Sequence, residues 1–283
     1  MKRREGDALP AGLADSLLRR PVSPLAALSG FVGKTMTIAE LEIRKLRHDF
    51  TEPITRAVQP VLWLLLFGQV FNRTRIIPTG GIAYLDFMTP GILAQSVLFI
   101  AIFYGVGLIW ERDLGITNKF LVSPAPRAAL VLGKALSAGI RSLPQALIIF
   151  VLALVLGVRM NWSPAALAGV LAVVFLGAAL FSVFSLIIAC LVKTRERFMG
   201  MGQVLTMPLF FASNAIYPIS IMPGWLQVIS RLNPLSYEVD ALRALMIKNG
   251  TSSFGIDVDF SVLIAGNLIL VILAARLYPR IVL

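Results

Sequence analysis

The sequence predicts an all-α polytopic membrane protein: six transmembrane helices, an N-terminal amphipathic interfacial helix, and a re-entrant hairpin after the fifth span. Three observations predict it. Hydrophobic residues make up 57% of the chain, charged residues only 14%, and mean hydropathy is +0.82, which leaves too little charged surface for a soluble fold. Apolar runs long enough to cross a hydrocarbon core of ~30 Å recur along the chain. Finally, the 33 residues from Phe198 to Ser230 carry no charge but include Pro208, Pro218 and Pro223. A straight helix of that length would reach about 50 Å, too long for one crossing, and the prolines supply breaks. The simplest path is a span ending near Ser213, then a segment that dips into the membrane and returns to the same face. Backbone at that depth must be buried against protein or line a wet cavity, a shape suited to handling a substrate.

Each element can be justified in order. Residues 1–30, rich in Pro, Gly, Ala and Arg, read as a flexible basic cytoplasmic tail. Residues 31–52 form the amphipathic helix, in which Val32, Met36, Ala39, Ile43, Leu46 and Phe50 recur at steps of four and three on one stripe. Lys34, Glu40, Arg44, Lys45 and Asp49 fall off that stripe, as expected of a helix lying in the headgroup region. The six-span domain fills 53–283. Span one, 54–71, is the weakest, with Gln59, Pro60 and Gln69 inside it. Span two covers 85–110 and span three 135–158, with Arg141 near its start and able to snorkel. Span four lies within 160–192, span five covers 198–213, and span six 260–278. A cytoplasmic loop, 111–128, follows span two, and the re-entrant segment occupies 214–236.

Charge sets the orientation. With both termini cytoplasmic, nineteen of the 26 Lys and Arg residues fall on the inner side and six on the outer, Arg141 lying within a span. This is the positive-inside pattern of an inner or plasma membrane protein, and it accounts for the net charge of +11 without nucleic acid. The polar, basic N-terminus argues against a cleavable signal peptide.

Catalytic chemistry is hard to assemble. Gly33-Lys34-Thr35 lacks the upstream glycine of a phosphate loop, since that position is Leu28. A single histidine, His48, cannot build a His-based metal site, and a single cysteine, Cys190, gives no disulfide framework. No pair of carboxylates lies mid-span, so no catalytic residue and no metal ligand is assigned. Ionisable groups near the midplane, which ion-coupled carriers need, are also lacking: Asp86, Glu111, Arg141, Glu238 and Asp240 fall near span ends. Energy for uphill transport would have to come from outside the chain.

The loop after span two carries the richest motif. Glu111, Arg112, Asp113 and Gly115 lead to Phe120, Leu121, Ser123 and Pro124, then to Gly133 and Lys134. A short apolar patch between charges, closed by prolines, suits insertion into a partner's groove, although an ordinary basic loop has the same composition. Late in the chain come Tyr217-Pro218, Pro223-Gly224-Trp225 and Asn233-Pro234, then Tyr237, Asp240, Ala241 and Arg243. These two motifs, at this spacing over residues 31–280, resemble type-2 ABC exporter permeases, the drug, lipid and polysaccharide group that includes nodulation-factor and daunorubicin exporters.

The resemblance implies a homodimer in the lipid bilayer, paired with two copies of a separate ABC ATPase. This chain would bind no cofactor itself; ATP and Mg would act through the partner subunit. The loop 111–128 would be the coupling element on the ATPase, with Glu111 and Arg112 tying it to the arm or to the partner. Spans one and five would line the dimer seam. Gln59, Gln69, Gln203, Thr206 and Asn214 are candidate path linings, or equally hydrogen-bonding groups between helices. Tyr217, Trp225 and Tyr237 form a candidate rim at the outer headgroups. The expected function is export of a hydrophobic or amphipathic drug, lipid or glycolipid. A polysaccharide path would need more aromatic lining than the sequence displays. An ion-gradient-driven secondary transporter and a non-transporting scaffold are the alternatives.

Overall fold

In the computed structural model, residues 24–46, 51–74, 77–117, 126–192 and 194–278 are described. The chain begins with α1 (Pro24–Leu46) and continues into α2 (Thr51–Leu62), a π-helical turn (Trp63–Gly68) and α3 (Gln69–Thr74). Leu62 and Gln69, which flank the π turn, both keep right-handed helical angles, so the backbone coils without interruption from 51 to 74. Then come α4 (Tyr84–Asp113), α5 (Arg127–Val155), α6 (Pro164–Leu191) and α7 (Arg195–Phe211). A 3-10 turn (Ile219–Ile221), α8 (Gly224–Leu232), α9 (Pro234–Met246) and α10 (Ile256–Leu277) complete the described residues.

Four helices among the described residues are long and apolar enough to cross a membrane: α4, α5, α6 and α10. Two of them form the centre, with 67% of the apolar window of α4 and 72% of that of α6 buried, against 17% for α10 at the periphery. Helix α6 packs against α4, α5, α9 and α10. Helices without a hydrophobic drive between them associate by close packing at small residues, and the contacts here follow that rule. A Cβ on Gly91 of α4 would lie 2.7 Å from the Ala215 Cα, and one on Gly139 of α5 would strike the Phe175 ring of α6. The caps are local and readable: Ser163 accepts from the Ala166 N–H at the start of α6, with Pro164 in the first turn, and Thr194 does the same for Arg197 at the start of α7.

Several boundaries differ from those the sequence predicts. Helix α5 starts at Arg127, directly after Pro126, and not near 135. Arg141 is consequently mid-helix, its guanidinium 4.9 Å from the centroid of the Tyr104 ring. Helix α1 starts at Pro24, inside the stretch assigned to the tail. The loop after α4 loses its first three residues to that helix. The segment after α7 turns, forms the short α8, and enters the buried α9.

Candidate functional site

The C-terminal end of α4 is a junction. Its residues Trp110 to Asp113 reach three other elements, because four successive residues on a helix cover one full turn of its circumference. Glu111 Oε2 lies 2.8 Å from Lys134 Nζ on α5, and both side chains are buried. Arg112 donates to the Val192 carbonyl beyond α6 at 3.3 Å and to Asp113 at 3.1 Å. Asp113 accepts from Arg195 Nη2 at 2.9 Å and Nε at 3.1 Å, which fastens α4 to the start of α7. The Arg195 guanidinium also lies 3.6 Å from the centroid of the Trp110 ring, a cation–π contact. Gly115 ends this helix in the left-handed region, with φ +70°, and its N–H donates to the Arg112 carbonyl at 2.9 Å. A side chain there would be strained, so the spacing Glu111-Arg112-x-x-Gly115 reflects helix capping as much as recognition.

Of the sequence-predicted coupling residues, Glu111, Arg112, Asp113 and Gly115 are brought together at this junction. Phe120, Leu121, Ser123 and Pro124 lie outside the described residues. The structure adds Lys134 and Arg195 as direct partners. Lys134 stands in the sequence motif, but nothing in the sequence pairs Arg195 with position 113, 82 residues away.

Helix α1 seats on α5. A Cβ on Gly133 would lie 2.6 Å from Ile38 Cγ2 and 3.0 Å from the Thr35 carbonyl oxygen, so the two helices cross where only glycine fits. The buried face of α1 is Thr35, Ile38 and Ala39, while Val32 and Met36 of the predicted stripe are about half exposed. Side chains of Ile43 and Leu46 and all of Phe50 lie outside the described residues.

At the opposite end, Arg243 of α9 is the hub. It is buried, donates to the Asn214 carbonyl at 2.7 Å and the Phe87 carbonyl at 3.3 Å, and covers the Phe87 ring at 3.8 Å. Asp240 accepts from the N–H groups of Ser253 and Phe254 at 2.6 and 3.0 Å and from Asn214 Nδ2 at 3.4 Å. Asn233 caps α9 by accepting from the Leu235 N–H at 3.0 Å, with Pro234 in the first turn, and donates to the Leu209 carbonyl of α7 at 2.6 Å. Tyr217 donates to the Phe211 carbonyl and Tyr237 to the Arg231 carbonyl. The hairpin motif is therefore held on α7 and α4 by its own polar side chains. Pro218 and Pro223 precede the 3-10 turn and α8, and Gly224 is the first residue of α8. On that short helix Trp225, Val228, Ile229 and Leu232 form an exposed apolar stripe.

The candidate path residues divide. Gln59, Gln69 and Gln203 are exposed, whereas Thr206 and Asn214 are turned inward: the Thr206 hydroxyl donates to the Gly202 carbonyl one turn back, and Asn214 belongs to the Arg243 hub. Trp63 and Phe67 stack at 4.5 Å, Phe67 and Phe71 at 6.2 Å, Phe71 meets Tyr84 at 5.4 Å, and Trp63 reaches Phe210 at 6.0 Å. Residues 63, 67 and 71 are four apart, so one helix face carries them; their partners at 84 and 210 come from helices the sequence does not show to be adjacent.

Residues 34–247 match the ABC-2 type transporter family. The chain is 32% identical over 196 residues to a candidate transport permease of Cyanophora paradoxa, covering 68% of this chain and 67% of that one. A candidate transport permease of Porphyra purpurea is 29% identical over 188 residues, but the match covers only 64% of its length. A daunorubicin resistance ABC transporter permease of Streptomyces coeruleorubidus is 27% identical over 249 residues, covering 87% of this chain and 86% of that one. The match in sequence begins within α1, runs through α9, and takes in both the junction at Trp110–Asp113 and Arg243. The chain belongs to the ABC-2 type transporter family of membrane permeases.

Proposed function

We propose that this chain is the membrane subunit of an ATP-driven exporter, moving a hydrophobic or amphipathic molecule such as a drug, lipid or glycolipid outward from the cytoplasm or inner leaflet. The observation that carries the reading is the junction at Trp110–Asp113, which ties α4, α5 and α7 together where the loop leaves the bundle. A push on that loop would move three helices as one body. Two copies of a separate ABC ATPase, holding ATP and Mg, would supply the push, and two copies of this chain would frame the path. The relative named for daunorubicin resistance favours an aromatic drug among these substrates.

The same reading completes the topology. The continuous helix over 51–74 rises about 35 Å and serves as span one, and α7, rising about 25 Å, serves as span five with α8 as part of the returning hairpin. Both termini would lie on the cytoplasmic side, and the arm 31–52 would rest in the inner headgroups with Val32 and Met36 toward lipid. Purification of the tagged chain in mild detergent, followed by mass spectrometry of what co-purifies, tests the assembly. A stoichiometric ATPase subunit carrying a phosphate-loop motif is the expected result. Its reproducible absence, or transport that survives ATP depletion and collapses with the ion gradient, would overturn the reading in favour of a secondary carrier.

A further inference from the structure

Between α2 and α4 lies a crevice of about 290 Å³, lined by Thr55, Gln59 and Pro60 on one side and by Gln95, Ser96, Phe99, Ile100 and Phe103 on the other. Gln95 sets it apart. The residue is 2% exposed, and neither its amide nitrogen nor its amide oxygen has a hydrogen-bond partner among the described residues. Its depth makes that costly. The charge-free part of α4 runs from Phe87 to Trp110, and Gln95 lies about 5 Å along the axis from its centre, where no bulk water reaches an unused donor and acceptor. By contrast the Ser96 hydroxyl is occupied, donating to the Ile92 carbonyl at 2.8 Å.

We propose that this crevice is a binding site within each chain for the ring portion of an uncharged aromatic amphiphile, and that the Gln95 amide is the group that recognises it. The inference rests on the permease reading and names where that permease would hold its cargo. Each part of the ligand's description follows from the lining. Among the described residues that line the crevice none is charged, so none of them would compensate a formal charge on a ligand at this depth. Phe99 and Phe103, with ring centroids 6.1 Å apart, offer an aromatic wall for a flat ring. The amide offers a donor and an acceptor together, which a ligand bearing a carbonyl and an N–H or O–H would use and an acyl chain would not. The volume is at the lower limit of pockets for drug-sized molecules, roughly 300 Å³, so it holds the ring and leaves the rest of the molecule outside. The wall is also unusual in its backbone: Pro60 of α2 lies in the crevice, and the π turn begins three residues later. Such turns open the helix ladder and gather at functional sites.

The test uses the full chain in lipid nanodiscs, with benzophenone-4-carboxamide as the photoactivatable probe: uncharged, with two aromatic rings, a carbonyl and an amide. Labelling is mapped by peptide mass spectrometry. Saturable labelling of the peptide that spans 95–103 is expected. In Gln95→Leu, which keeps the volume and removes the amide, labelling below saturation should fall about tenfold, the worth of one well-made hydrogen bond. Thr89→Ala, on the same helix but outside the crevice and likewise bonded one turn back, should leave it unchanged. The melting temperature of Gln95→Leu should stay level or rise, since an unpaired buried amide has been removed. Labelling that Gln95→Leu does not alter, that Thr89→Ala lowers equally, or that spreads evenly to the exposed face of α10 would overturn the site. ATP-driven uptake of the same probe into inverted vesicles separates this from the permease reading. Gln95-dependent labelling without uptake would sink the permease and leave the site, and uptake without that labelling would do the reverse.

Discussion

Glu111 faces Lys134 at 2.8 Å inside the protein, so its carboxylate holds two helices together before it can serve a partner. Removing one member of a buried ion pair costs about 3–5 kcal/mol, because the remaining charge keeps its desolvation and loses its counter-charge. Glu111→Gln should therefore lower the melting temperature of the purified chain by several degrees as well as weaken transport. The exchange Glu111→Lys with Lys134→Glu should recover most of the stability. If the exchanged protein is stable yet fails to couple ATP hydrolysis to transport, the carboxylate has a second duty at position 111; if coupling returns with stability, its work is the ion pair alone. Gly91 gives a second residue-scale expectation. A methyl there would press on the backbone of Ala215, which cannot swing aside as a side chain can. Gly91→Ala should destabilise the chain by roughly 1–3 kcal/mol, measured by thermal unfolding in detergent, whereas Gly107→Ala, where the added Cβ meets open space, should not. The sequence marks Glu111, Arg112 and Gly115 as a motif, and capping geometry explains the glycine. It does not show what Asp113 bonds, because the partner Arg195 is fixed only when α7 folds back beside α4.

Helices were easier to read than their faces. Long apolar runs bounded by prolines and charge locate α4, α6 and α10 to within a few residues, since membrane thickness and the lack of water leave helix as the available choice. The start of α5 escaped because Gly133 and Lys134 look like a loop's end, although both are buried mid-helix against α1 and α4. On α1 the apolar stripe locates the helix, but contact with Gly133 sets its rotation, so Thr35 is buried and Met36 exposed. Helix α8 shows the converse. Its apolar residues Trp225, Val228, Ile229 and Leu232 face outward, Leu232 being 79% exposed, the arrangement of a helix lying on a bilayer surface. Trp225 fluorescence, read in a variant whose other tryptophans are replaced by phenylalanine, should be quenched by lipids brominated near the headgroup more than by those brominated at the acyl terminus. Equal quenching at both depths, or none, would remove α8 from the interface.

At the scale of the molecule, one chain leaves apolar faces on α7 and α10 that either lipid or a second copy would cover. Along α7 the residues Met201, Val204, Pro208 and Phe211 share one exposed face, Val204 being 69% exposed, and they are spaced three or four apart as one helix stripe requires. Helix α10 also exposes Leu268, Ile269 and Ile272. Hydropathy cannot separate these two faces, because lipid and a protein seam both accept apolar side chains; this is why the sequence shows the spans but not the assembly. The aromatic row from Phe210 through Trp63 and Phe67 to Phe71 lies beside the α7 face and not beside α10, and a transport path framed by two copies would need such a lining. Cysteine cross-linking decides the matter without a background from the native thiol, since Cys190 is buried. Oxidation of Val204→Cys in native membranes should give a covalent dimer on non-reducing gels, and Leu268→Cys should stay monomeric under the same oxidant. A dimer from Leu268→Cys alone would place the seam on the opposite side of the bundle and turn the α7 face toward lipid. Dimers from both would point to random collision, and neither face would then be the seam.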